Sequence, residues 1–233
     1  MSSPRPSAPR GALTSWLGEE VYAITDSHLM EPFFVSVPTE SDLWMFISSR
    51  GGVTAGRADA DQSLFPYMTE DRIHDGRHVT GPYTLLRALD GPEAGRVHRA
   101  FAFDEEAPKR THLYKGVTGN SLGFEEELPD LGLTVSYRWQ GCEALGWTRR
   151  VVVTNTGGQQ ITLSILDGLR DLQPYGVSAH ISQTSRCLVD AYKRSEIESS
   201  SGLGIYALTS RIVDRAEASE MLSSQSMFQP LVI

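Results

Sequence analysis

The sequence predicts an all-β protein of antiparallel strands with at most one or two short helices. Three observations carry this prediction. Short apolar runs recur at close spacing, separated by Gly, Asp or Pro, the pattern of strands joined by tight turns. Leu133, Val135, Tyr137 and Trp139 alternate with Thr134, Ser136 and Arg138, so one face of that strand is apolar and the other polar. Only residues 180–198 carry apolar side chains at helical spacing.

Residues 1–12 are rich in Ser, Pro and Arg and read as a disordered tail. The domain then runs from 13 to 233. Its strands begin with "VYAI", "FFVSV" and "LWMFIS" and continue with "RVHRAFAF", "HLYKGV", "GFEEEL" and "LTVSYRW". "WTRRVVVTNT" and "ITLSILDGL" flank the turn "GGQQ", where two Gly can supply the positive φ of a tight hairpin. In "HISQTSRCLVDAYKRSEIE", Ile181, Leu188, Ala191 and Tyr192 fit one helix face. "KRSE" would be its solvated end, with Asp190 and Arg194 at i, i+4, a pair worth about 0.3 kcal/mol. "GLGIYALTS" returns to strand. These strands suit a large antiparallel sandwich. "SMFQPLVI" ends on apolar residues, so the domain is expected to be truncated at its C-terminal end.

The formal charge of −8 disfavours nucleic acid and anionic membranes as general partners. Of 21 basic residues, 18 are Arg, a bias of coding rather than of chemistry. Cys142 and Cys187 are far apart and in no metal spacing, which favours a reducing compartment. The start has no apolar core of a signal peptide, and no apolar run approaches about 18 residues. The expected location is the cytoplasm, with no cofactor.

The densest chemistry lies between Phe46 and Gly76. Gly51 to Gly56 has the G-x-x-x-x-G spacing, but Arg57 and Ala58 stand where a nucleotide loop needs Lys and Ser or Thr. Asp59, Asp61, His74 and Asp75 are metal ligands by type, yet acids in such a stretch more often cap turns. The composition fits a sugar best. Planar hydrogen-bonding groups meet sugar hydroxyls while an aromatic ring packs on the C–H face. The candidates are Arg50, Arg57, Asp59, Asp61, Tyr67, Asp71, Arg72, His74 and Asp75. A long loop with no ligand is the competing account. If the segment serves a ligand rather than the fold, replacing Arg72 or His74 by Ala leaves stability unchanged. A second shaped stretch, "DGLRDLQPYG", is a strand exit that could approach the first.

Three stretches carry a resemblance: "WMFISSRGGVTAGRADADQSLFPYMTEDRIHD", "RRVVVTNTGGQQITLSILDGLRDLQPYGV" and "LVDAYKRSEIESSSGLGIYALTSRIVDRAEASE". Together, from about Trp16 to about Leu222, the chain resembles the N-terminal domain of cellobiose-phosphorylase-like proteins, glycoside phosphorylases of the glycosyltransferase 36 type. The resemblance implies a β-supersandwich of the galactose-mutarotase-like kind. It implies a following helical barrel that carries the catalytic acid and has no counterpart in this sequence. It also implies inverting phosphorolysis of a β-glucoside by the whole enzyme, with phosphate as nucleophile and one carboxyl as acid. The implied partners are an oligosaccharide or β-glucoside, phosphate, the barrel and a second copy in a homodimer.

The expected function is thus a non-catalytic, carbohydrate-associated β-domain of such an enzyme. A stand-alone carbohydrate-binding module is the alternative, and an exposed row of aromatics would favour it. An aldose epimerase is a third, needing a His acid and a Glu base across one pocket. His74, His98, His112 and Glu125 to Glu127 are its candidates by residue type, although "EEE" on a strand reads as a solvated face.

Overall fold

In the computed structural model, residues 8–39, 42–102, 109–142, 146–210, 212 and 226–228 are described. Sixteen strands appear among them: β1 (Arg10–Trp16), β2 (Glu19–Thr25), β3 (Phe34–Ser36), β4 (Leu43–Ser48), β5 (Val53–Arg57), β6 (Ser63–Phe65), β7 (Gly81–Ala88) and β8 (Val97–Ala100). Then come β9 (Arg110–Gly116), β10 (Ser121–Leu128), β11 (Leu133–Cys142), β12 (Gly146–Asn155), β13 (Leu163–Arg170), β14 (Lys193–Glu198), β15 (Leu203–Leu208) and β16 (Ser226–Phe228). Three short helices join them: α1 (Glu70–Ile73), α2 (Ala179–Thr184) and α3 (Arg186–Tyr192). The protein is all-β, and every strand pair is antiparallel. The first strand starts at Arg10, inside the segment that composition assigned to a tail; residues 1–7 and the apolar end 229–233 lie outside the described residues. No described helix is long and apolar enough to cross a membrane. Cys142 and Cys187 are both free.

The strands form a six-stranded sheet in the order β1-β2-β9-β10-β11-β12, a four-stranded sheet β3-β4-β5-β6, and three-stranded sheets β13-β7-β8 and β14-β15-β16. The alternation read in β11 fixes the packing. Leu133, Val135, Tyr137 and Trp139 are all buried. Tyr137 and Trp139, with Leu113, Leu122 and Phe124, pack on Met45, Ile47, Val53, Ala55 and Phe65 of the four-stranded sheet. Leu133, Val135 and Leu128 pack on Leu86, Ala88 and Ala100 of the β13-β7-β8 sheet. One broad sheet therefore faces two narrower ones, and the apolar area removed from water between them drives the fold. A third, smaller core gathers Val177, Ile181, Val189, Leu208 and Ile212.

Two charged sites lie inside this sandwich, an Arg149–Asp167 pair and Glu126. Arg149 stands opposite Trp139 in the sheet register, so it points inward. It grips Asp167 of β13 through two bonds of 2.8 and 2.9 Å, and Thr84 donates to the same carboxylate at 2.6 Å. The guanidinium also lies 5.0 Å from the Tyr137 ring centre. Burial pushes the Tyr137 hydroxyl pKa upward, so the ring stays a neutral phenol. The second charge is Glu126, fully buried between the two cores. Its carboxylate accepts the Phe101 N–H and lies 3.6 Å from the Lys109 ammonium. "EEE" is thus no solvated face: Glu125 and Glu127 point outward, while Glu126 takes the inward position between Phe124 and Leu128.

Two other expectations change. β12 and β13 exist but do not form a hairpin; β12 pairs with β11, and β13 with β7. Neither Gly157 nor Gly158 adopts a positive φ. Instead the N–H groups of Thr156 and Gly157 bond to the Gly132 carbonyl, which steers the chain to the other layer. The helical stretch breaks at Ser185 into α2 and α3 and ends at Tyr192. Ile181 and Val189 are its buried apolar residues, whereas Leu188 and Tyr192 are exposed. "KRSE" enters β14, where Lys193 to Glu198 pair with β15. Asp190 bonds to Lys193 at 2.6 Å rather than to Arg194. A paired strand outweighs one exposed i, i+4 ion pair.

Arg149→Met should destabilise the protein by about 3–5 kcal/mol, because it leaves the Asp167 carboxylate unpaired in the interior. Arg149→Met with Asp167→Leu should recover most of that loss. Urea unfolding of the two variants checks the claim.

Candidate functional site

The stretch from Phe46 to Gly76 is folded rather than looped. β4 turns through Gly51, at φ +87, into β5. A side chain at Gly52 would stand 2.1 Å from the Ile73 carbonyl, so only glycine lets the later chain lie on this hairpin. Thr54 clasps the strap by donating to the Pro66 carbonyl at 2.9 Å and accepting the Met68 N–H at 3.2 Å. Thr80 closes the other end by donating to the Val53 carbonyl. Gly56, the second glycine of the phosphate-like spacing, has a different use. A Cβ there would stand 2.5 Å from the Trp44 ring, so its absence makes room for the indole beside β5.

The candidate residues fall into two groups. Arg50 donates to the Met30 carbonyl at 3.2 Å, and burial lowers its pKa, aided by nearby Arg77. His74 Nδ1 lies 2.7 Å from the buried Ser48 hydroxyl, which also accepts the Arg50 N–H. Asp71, Arg72 and Asp75 are exposed. Hydrogen bonding from Thr69 holds the Asp71 carboxyl below its ordinary range.

The second group gathers elsewhere. Asp59 caps a short turn by accepting the Asp61 N–H at 3.0 Å. Asp61 accepts the Ala179 N–H at 2.8 Å, at the start of α2. Arg57 is exposed at the end of β5, and the Trp44 indole N–H donates to the Asp59 carbonyl. Tyr67 meets Trp44 edge-on at 5.9 Å. The rings continue: Trp44 lies 6.2 Å from Phe46, and Phe46 lies 5.9 Å from Phe34. Trp44 and Phe46 alternate with the buried Met45 and Ile47, so they occupy the outer face of the four-stranded sheet. Tyr67 and Phe34, at the two ends, are each 39% exposed. The structure thus brings Asp59 and Tyr67 to a run of four aromatic rings, whereas Asp61 turns to α2 and Arg57 lies opposite Leu43, in register with the core-facing side of β4. Trp44, Phe46 and Phe34 were missed as a group, although the alternation in "LWMFIS" already sets two of them opposite the core.

No group of three or more His, Cys, Asp or Glu among the described residues could hold a metal ion. Asp59 and Asp61 each accept a backbone N–H, from Asp61 and Ala179, as turn-capping acids do. "DGLRDLQPYG" does meet the first segment: Arg170 donates to the carbonyls of Arg77 and His78, and the Gln173 N–H to that of Leu64.

The opposite face of the molecule carries a different chemistry. His112 Nε2 lies 3.0 Å from Glu127, and Arg110 bridges Glu127 and Asp26. Trp16 stacks on Tyr114 at 4.4 Å, and both donate to Glu125. Desolvation, reinforced by that carboxylate, pushes the Tyr114 pKa up. Of the histidines weighed as acids, His98 lies 3.5 Å from Glu93 and His74 faces Ser48. His112 alone is paired with one of the three glutamates weighed as bases. A shallow depression of about 250 Å³ on this side is lined by Glu19, Glu20, Gly116, Val117, Thr118, Asn120 and Gln140, none of them a sequence candidate. The sequence matches no protein-family profile, and no curated protein aligns with it significantly.

His74→Ala should cost about 1–3 kcal/mol, because the buried Ser48 hydroxyl loses its imidazole partner and keeps only the Arg50 N–H. Arg72→Ala, on an exposed side chain, should change stability by less than about 0.5 kcal/mol. Thermal unfolding of the two variants separates a structural histidine from a solvated arginine.

Proposed function

We propose that this chain is a non-catalytic, carbohydrate-associated β-domain of the cellobiose-phosphorylase-like kind. Its working surface is the outer face of the four-stranded sheet. One observation carries the reading: Phe34, Phe46, Trp44 and Tyr67 form a continuous run of rings, with the Asp59 turn bonded to Trp44 at its edge. Aromatic faces pack on the C–H side of a pyranose, and carboxylate and guanidinium groups bond its hydroxyls. The all-β sandwich agrees with the fold that the resemblance implies. Ser48–His74, Asp59 and Asp61 each bond within the chain, which suits a scaffold that presents a surface. In the whole enzyme, cleavage of a β-glucoside by phosphate would belong to a helical barrel.

The same aromatic run also favours the second reading, a carbohydrate-binding module that acts alone. The two readings share the surface and differ in what accompanies it.

Titration calorimetry with cellobiose should show weak binding that Tyr67→Ala reduces. Removing one stacked ring costs about 0.5–1.5 kcal/mol, or several-fold in affinity. Cellobiose with phosphate should yield no glucose 1-phosphate. Phosphorolysis by the pure chain would overturn the non-catalytic assignment. Absence of binding to any β-glucoside would overturn the carbohydrate one.

A further inference from the structure

The turn after β2 is fastened to β9 by a reciprocal pair of hydrogen bonds. The Asp26 N–H donates to His112 Nδ1 at 3.1 Å, and the Thr111 N–H donates to His28 Nδ1 at 3.4 Å. Each element thus gives a backbone N–H to a histidine of the other. A backbone N–H can only donate, so both Nδ1 atoms must be unprotonated acceptors. His112 then carries its proton on Nε2 and donates it to Glu127. A hydroxyl pair, Ser27 with Thr111 at 3.0 Å, lies between the two bonds. Asp26, Ser27, Thr111 and His112 are all buried, so water cannot readily replace a lost partner.

We infer that this reciprocal pair is an acid-released clasp, which holds the connection between the two sheet layers while both imidazoles are neutral. A proton added at either Nδ1 sets an N–H against an N–H. The cation needs an acceptor there and finds a donor, so the bond becomes a repulsion.

The charged surroundings favour this direction. Glu127 faces His112 Nε2, and Glu125 stands opposite His112 in the register, held by Trp16 and Tyr114. Asp26 and Arg110 act on His28 from the turn and from β9, and His112 itself opposes a charge there. Glu127 sits at the other nitrogen, Nε2, so its bond to His112 does not repair the clasp. Burial lowers the pKa of His28 below its ordinary 6.5; Asp26 and a backbone hydrogen bond with Thr111 partly offset this, and the charges of His112 and Arg110 add to it. The unfolded chain therefore takes up this proton first. The contribution of His28 is complete above pH 6.5 and falls as pH drops below it.

The clasp has a structural consequence. From Asp26 the chain crosses to β3. On the way Met30 receives Arg50, and Phe33 exchanges bonds with Ser49. The crossing ends at Phe34, the first ring of the aromatic run. Opening the clasp loosens the segment that sets this ring on its face.

Amide hydrogen exchange of the whole chain, followed across the acid range, tests this. After correction for intrinsic rates, protection of the Asp26 and Thr111 amides should fall about tenfold per pH unit once a gating imidazole protonates. Amides of the central β10–β11 pairing should keep theirs. The Asn Oδ1 sits on Cγ as Nδ1 does and accepts without titrating, so His28→Asn with His112→Asn should make protection at Asp26 and Thr111 independent of pH. Constant protection in the unaltered chain, or an equal loss in the asparagine variant, would overturn the clasp. Parallel loss across β10–β11 would show general acid unfolding and would overturn it as well.

Discussion

The Arg149–Asp167 pair ties the two layers of the sandwich by charge, and much of the fold is arranged so that it can exist. Two buried ions are stable only when paired and further hydrogen bonded. Thr84 supplies one of those bonds to Asp167, and the Tyr137 ring accepts the guanidinium. This requires β12 and β13 to lie in facing sheets rather than side by side. A hairpin would set Arg149 and Asp167 in one sheet and leave no charge to cross the core. The turn at Thr156 and Gly157, folded onto Gly132, delivers that crossing. Glu126 plays a related part beside the junction of the two cores, where it accepts the Phe101 N–H. Phe101 has φ +58 and packs on both cores, so the carboxylate holds a backbone shape that few residues adopt.

Glycines decide what lies on the four-stranded sheet. The two that resemble a phosphate loop are used for close approach. Gly52 admits the backbone of Ile73, and Gly56 admits the indole of Trp44. The first contact makes the segment after β6 a strap, and the strap consumes His74 and Thr54. The second leaves Trp44 to join the aromatic run. One stretch of sequence therefore serves two ends, and its polar residues divide between holding the strap and bordering a surface.

The two outer faces differ in kind. The four-stranded sheet shows linked rings with exposed ends, which suits a hydroxyl-rich partner with apolar C–H faces. The six-stranded sheet shows carboxylates already satisfied by Arg110, His112, Trp16 and Tyr114. Groups so engaged have little left for a ligand, but they couple the surface to protonation. The connection from Asp26 to Phe34 is the physical link between these faces.

The sequence by itself determined the class of fold and the inward face of β11, because alternation at period two survives in any sheet that buries one side. It also determined most strand positions, and it singled out the stretch that holds Asp59, Tyr67 and His74. It did not determine which strands pair, since "GGQQ" fits a hairpin and a crossing equally well in local terms. Nor did it place Glu126, whose neighbours Glu125 and Glu127 are identical to it in type and differ only in direction. The division of the candidate residues was equally out of reach. Asp59 and Tyr67 join Trp44, while His74 turns to Ser48, because a close backbone contact at Gly52 folds the chain between them. Such contacts join residues distant in sequence and depend on shape rather than residue type. Tertiary structure alone decided them.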